Sequence, residues 1–109
     1  MIPKDQKRWG YVIVWEFRPR PGMEERFEEA YGPQGIWATL FRESTGFIST
    51  ELNRDLADPK RYLTMDFWES QDAYELFRES KASCYAAIDV QCEVLTEHER
   101  EVGRFARLK

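Results

Sequence analysis

Arg61-Tyr62-Leu63-Thr64-Met65-Asp66-Phe67-Trp68-Glu69-Ser70 alternates strictly along its length. Leu63, Met65 and Phe67 point one way; Tyr62, Thr64, Asp66 and Trp68 point the other. A period of two over this length marks a β-strand. Bulky residues on both faces place it centrally in a sheet, because an edge or surface strand would present one polar face. An ionisable Asp66 and the Trp68 indole share the second face, which makes that face the place to look for a site. Alternation alone does not say which face meets the rest of the protein.

The neighbouring segments follow from this strand. Residues 46–54 read as a preceding strand, with Ile48, Thr50 and Leu52 opposite Phe47, Ser49, Glu51 and Asn53. Asp55-Leu56-Ala57-Asp58-Pro59 is turn chemistry, so the two strands form a hairpin. Ser70 suits the N-cap and Asp72 the first turn of a helix bearing Ala73, Tyr74, Leu76 and Phe77. After an interruption at residues 80–83, Tyr85, Ile88, Cys92 and Leu95 recur at helical spacing. Upstream, residues 10–18 read as the first strand, ended by Pro19 and Pro21, which cannot donate to a ladder. A helix over residues 23–31 is broken by Gly32-Pro33-Gln34-Gly35, and a short helix with Ile36, Trp37, Leu40 and Phe41 follows. The break is either a plain turn or the lip of a pocket. Residues 96–100 read as a polar connection holding the only histidine, His98. Val102, Phe105 and Leu108 fit helical spacing, yet Gly103 weakens a helix, and the topology calls for a strand over 101–108.

The resulting order is βαββαβ, an α+β ferredoxin-like fold with an antiparallel sheet. Right-handed crossovers put the first and third strands in the middle. Helices cover one face only, so the other needs a second cover, and a homodimer stacking sheet on sheet would supply it. Residues 1–9 are expected to form an arm and residues 10–109 a single domain.

Composition narrows the function. In 109 residues, 15% are aromatic and the formal net charge is −4, with the two signs interleaved. Nucleic acid is excluded by the missing basic footprint. No apolar run reaches the roughly 20 residues of a membrane span, and no signal-peptide apolar region opens the chain, so a cytoplasmic location is expected. Cys84 and Cys92 lie about 12 Å apart along one helix at ~1.5 Å per residue, too far to pair. Both are expected to be buried apolar residues. One histidine and two such cysteines make no usual zinc site, so no metal is expected.

The chain resembles the antibiotic biosynthesis monooxygenase superfamily, the dimeric α/β-barrel proteins. The resemblance lies in Trp15-Glu16-Phe17-Arg18 through Pro21-Gly22, in Phe27-Glu28, in Gly46-Phe47 and in Tyr62 to Ser70. Cys92-Glu93-Val94-Leu95-Thr96 and Gly103-Arg104-Phe105 resemble the ending of one poorly characterised branch. The haem-degrading members share a Trp at Trp68 but use a first-strand Asn, where this chain has about Trp15. They also use a His on the next helix, where residues 70–80 have none, so haem would lack an axial ligand. The resemblance implies a cofactor-independent monooxygenase acting on a small aromatic or quinol-type substrate. The alternative is a non-catalytic dimeric binding or pathway-accessory protein of the same fold. Quinone-forming members rely on Asn, Trp, Tyr and Arg, types met here in Asn53, Trp68, Tyr62 and Arg54. The expected site therefore has Asn53 as hydrogen-bond donor, Asp66 (or Glu51) as base, and Trp68. Walls of Trp37, Tyr62, Tyr74 and Tyr85 would surround a planar ligand. A cavity holding a carboxylate or Asn separates the catalytic reading from the binding one.

Overall fold

The computed structural model describes residues 8–108. The elements are β1 (Tyr11–Pro19), α1 (Glu24–Tyr31), α2 (Ile36–Phe41), β2 (Phe47–Arg54), β3 (Tyr62–Trp68), α3 (Gln71–Ser80), α4 (Ala82–Cys92) and β4 (Thr96–Ala106), with a 3-10 turn over Glu93–Leu95. The described strands form one antiparallel sheet ordered β2-β3-β1-β4, so β1 and β3 are central as the alternation predicts. The fold is α+β and ferredoxin-like, and the sheet is open, with β2 and β4 at its edges. Among the described residues no helix is long and apolar enough to cross a membrane. The expected arm over residues 1–9 lies largely outside the described residues; Trp9 stands edge-on to Phe67 at 5.1 Å between centroids.

Register decides which face meets the helices. Tyr11, Ile13, Trp15 and Phe17 of β1 pair with Trp68, Asp66, Thr64 and Tyr62 of β3. These alternating residues point at the helices, where Phe27, Tyr31, Trp37, Phe41, Tyr74 and Phe77 close the core. Burying each such ring stabilises by about 1.5–3 kcal/mol. Ser70 caps α3, its Oγ accepting the Ala73 N–H at 3.1 Å. The break between α1 and α2 depends on Gly35, since a Cβ there would stand 2.2 Å from the Ala30 carbonyl oxygen.

The last strand departs from expectation in two ways. It begins at Thr96, so His98 belongs to a strand rather than a connection. A register shift then lies between Val14, paired with Gly103, and Trp15, paired with Glu101, which leaves Val102 as the extra residue. Such a bulge moves everything beyond it to the other face. Glu99 therefore sits opposite Phe17 on the helix side, while Arg100 sits opposite Glu16 on the open side.

That open face is apolar at its centre and ionic at one end. Val12 and Val14 lie between Leu63, Met65 and Phe67 of β3 and Phe105 of β4. Glu16 takes Arg61 Nε at 2.6 Å, His98 Nε2 at 3.3 Å and Arg100 at 3.4 Å. The Arg61 hydrogen bond holds its carboxyl below the usual range. Both cysteines are free; Cys92 is buried, but Cys84 is exposed, contrary to expectation. Cys84 falls on the solvent-facing side of α4.

Candidate functional site

A cavity of about 110 Å³ lies between the helix face of the sheet and the two broken helices. Trp15 and Phe17 of β1, Thr50 of β2, and Thr64 and Asp66 of β3 form its floor. Tyr31 ends α1 and Trp37 opens α2, so the Gly32–Gly35 break places an aromatic residue on each side, with Phe41 behind them. Tyr85 and Asp89, four apart on α4, and Glu99 of β4 complete the wall. The break flanks the cavity through Tyr31 and Trp37 but does not itself line it; Gln34 and Gly35 border a separate groove with Gln91 and Cys92.

Asp66 is the chemically distinctive group. Thr50 Oγ1 donates to its Oδ1 at 2.8 Å, and burial raises its pKa from 3.8 to about 6. Desolvation disfavours the charged form, and the single threonine hydrogen bond only partly offsets this. Such a carboxylate titrates just below neutrality and can exchange a proton with a ligand. The Trp37 indole Nε1 is buried beside Tyr31 and Cys92, and among the described residues it makes no hydrogen bond of ordinary geometry. Burial also pushes the Tyr31 hydroxyl well above its ordinary range, keeping it a neutral donor. Among the described residues, no cluster of three or more His, Cys, Asp or Glu is placed to hold a metal ion.

The residues singled out from sequence separate into groups. Asp66, Trp37 and Tyr85 come together in the cavity. Asn53 does not: it pairs with Leu63 and therefore faces the open side, as does Glu51 opposite Met65. The same alternation turns Arg54 to the helix side, 3.8 Å from Glu28. Tyr62 is buried beside that pair and donates to Glu28 Oε2, outside the cavity. Trp68 is fully buried in the core and does not line the cavity; Phe41, which does, stands 5.6 Å away between centroids. Tyr74 borders a shallow outer groove with Arg78 and Arg104, separated from the cavity by Trp15 and Tyr85, which line both. The Arg78 guanidinium stacks over the outer side of Tyr85 at 3.6 Å.

Other cavity residues were not singled out. Thr64 shares the Asp66 face by period two, and Thr50 follows from the hairpin register. Asp89 follows from its four-residue spacing to Tyr85 on one helix. Glu99 has no local signal, because the bulge at Val102 decides its face.

The profile of the family described as antibiotic biosynthesis monooxygenase matches residues 10–84. The chain belongs to that family. Its fold is similar to a monooxygenase from the ActVA-Orf6 gene of Streptomyces coelicolor, solved in complex with the ligand nanaomycin D (19% identity, 93% of this chain and 89% of that one, TM-score 0.68). It is also similar to SnoaB, a cofactor-independent oxygenase from Streptomyces nogalater (17%, 94% and 96%, TM-score 0.62). Protein SO0527 from Shewanella oneidensis is a further likeness (21%, 93% and 93%, TM-score 0.63). At these identities the likenesses concern the fold. No curated protein matches the chain. The family match stops at residue 84, just short of Tyr85, Asp89 and Glu99.

Proposed function

We propose that the chain is a monooxygenase that uses neither metal nor flavin and oxidises a small aromatic or quinol-type substrate, with Asp66 as base. Family membership supports monooxygenase chemistry without defining the substrate. The observation that carries the residue assignment is a carboxylate raised to about pKa 6 inside an aromatic-walled cavity. A cavity holding a carboxylate also favours this reading over the non-catalytic one. Against a phenol near pKa ~10, the raised Asp66 narrows the proton-transfer gap from about six units to about four. The transfer conserves charge: Asp66 becomes neutral as the ring becomes an anion. The donor that lines the cavity for that anion is the Thr64 hydroxyl, in place of Asn53. The anion gives its electrons to dioxygen and a carbon–oxygen bond forms. The hydroperoxide then loses water with the carbon-bound proton, leaving a quinone carbonyl. One oxygen atom enters the product and the other departs as water with two substrate hydrogens.

Oxygen uptake with a panel of single-ring hydroquinones and catechols tests this. The wild type should exceed the uncatalysed background. Thr64→Val should fall about 10²-fold, the usual cost of removing one such donor. Asn53→Ala should match the wild type, since it lies across the sheet. A wild type that never exceeds background sinks the enzymatic reading.

The open sheet face supports a homodimer, an expectation of its own. Phe105 is 48% exposed there beside Val12 and Val14. A stable pair would bury roughly 1,600 Å² or more. Sedimentation at micromolar concentration should show a wild-type dimer and a monomeric Phe105→Glu, a charge that the exposed site tolerates in the lone chain. A monomeric wild type would overturn it.

A further inference from the structure

We propose that the cavity accepts a single-ring aromatic substrate carrying a protonated amine, with Asp89 and Glu99 at the mouth as the ammonium site. The inference rests on the reading of the Asp66 cavity as the reaction site and specifies what enters it. Four observations carry it.

The first is charge. Among the described residues, three carboxylates line the cavity, Asp66, Asp89 and Glu99, and no Lys, Arg or His does. Arg78 is kept on the outer side of Tyr85. An anionic ligand would meet like charge and lose hydration without a counter-ion, whereas an ammonium gains both an ion pair and aromatic faces. The rings of Trp15, Tyr85 and Trp37 supply those faces.

The second is position. Asp66 is the enclosed acid, while Asp89 and Glu99 are solvent-exposed residues that still line the cavity. Burial and the charges of Asp89 and Glu93 push the Glu99 carboxyl upward, with His98 opposing. Like charges held together leave negative potential that a bound cation relieves. No metal-binding cluster accounts for these acids among the described residues.

The third is the strand geometry that puts the acid there. Without the bulge at Val102, Arg100 would oppose Phe17 and face the cavity. With it, Glu99 faces inward and Arg100 outward to Glu16. Bulges re-aim side chains in this way beside functional sites. This one makes the cavity more negative than Arg100 in the same place would.

The fourth is size. A cavity of about 110 Å³ is smaller than the roughly 150 Å³ apolar cavity that accommodates benzene. The volume leaves room for no more than one ring, whose alkylamine tail would reach out toward Asp89 and Glu99.

Three catechols with one ring and different tails provide the test: dopamine (ammonium), 4-methylcatechol (neutral) and 3,4-dihydroxyphenylacetate (carboxylate). Binding is measured by calorimetry without oxygen, so that affinity is read apart from turnover. Dopamine should bind about tenfold more tightly than the neutral ring, and the carboxylate more weakly than either. The double variant Asp89→Asn/Glu99→Gln, at two exposed positions and with near-isosteric neutral side chains, should bring the three affinities together. Equal affinities in the wild type, a preference for the carboxylate, or no binding of any of the three would overturn the proposal. Oxygen uptake on the same compounds separates it from the reading it rests on. Turnover without tail preference removes the ammonium site and keeps the monooxygenase; charge-ranked binding without turnover keeps the site and removes the reaction.

Discussion

Asp66→Asn is expected to lower oxygen uptake by about 10²–10⁴-fold, the range for losing a general base, while making the protein more stable at neutral pH. Both effects come from one carboxylate. The folded-state pKa is about 6 against a reference of 3.8, so the folded chain holds this proton more tightly than the unfolded chain does. The stability this contributes is fully present below about pH 4 and is lost as pH rises through about 6. The shift corresponds to at most about 3 kcal/mol by pH 8, at about 1.4 kcal/mol per unit. Asparagine keeps the shape and can still accept the Thr50 hydroxyl, but carries no charge to desolvate. Thermal melts should therefore coincide at pH 4 and diverge toward pH 8, with the variant higher by roughly 5–15 °C. Wild-type activity should rise with pH and reach half its plateau near 6. Parallel melting curves from pH 4 to 8 would show that Asp66 titrates normally. Unchanged oxygen uptake in the variant would remove it as the base.

A gain in stability coupled to a loss of activity is the usual signature of a strained functional group. It also explains why Asp66 was legible early. A carboxylate on a strand face otherwise occupied by Tyr62, Thr64 and Trp68 conflicts with burial, and such local conflicts collect at functional sites. The topology was equally legible, because alternation and helical spacing repeat over many residues and report on local geometry. The face of Asn53 was accessible only through register: it pairs with Leu63, while Thr50 pairs with Asp66. Types of residue had suggested Asn53 as a donor, but type carries no information about side. The cavity's charge was the least accessible feature. It depends on one extra residue, Val102, in a pairing between β1 and β4 that closes a loop of about eighty residues. Nothing local distinguishes Glu99 from its neighbour Arg100 as the one that turns inward.

Trp68→Ala is expected to bring the largest loss of stability, about 3–5 kcal/mol. Trp68 has no exposed surface, and Phe77, Phe47, Tyr74 and Phe41 stand 5.0, 5.2, 5.3 and 5.6 Å from it between ring centroids. Those rings come from α2, β2 and α3, so the indole joins the helical layer to the centre of the sheet. Removing it leaves a cavity that these rigid neighbours cannot fill, a large share of the 5–15 kcal/mol typical of a domain. The melting temperature should fall by roughly 10–25 °C. Trp68→Phe separates packing from polarity. Among the described residues the indole Nε1 is buried without a partner, so replacing it forfeits no hydrogen bond to them, and the remaining ring keeps most of the contacts. Its cost should stay near about 1–2 kcal/mol, the loss of part of a ring's burial. Because Trp68 does not line the cavity, oxygen uptake per folded molecule should be nearly that of wild type. A Trp68→Phe protein that melts normally yet loses activity as Asp66→Asn does would place the indole against the substrate, and the cavity would then extend deeper into the core than Phe41 allows.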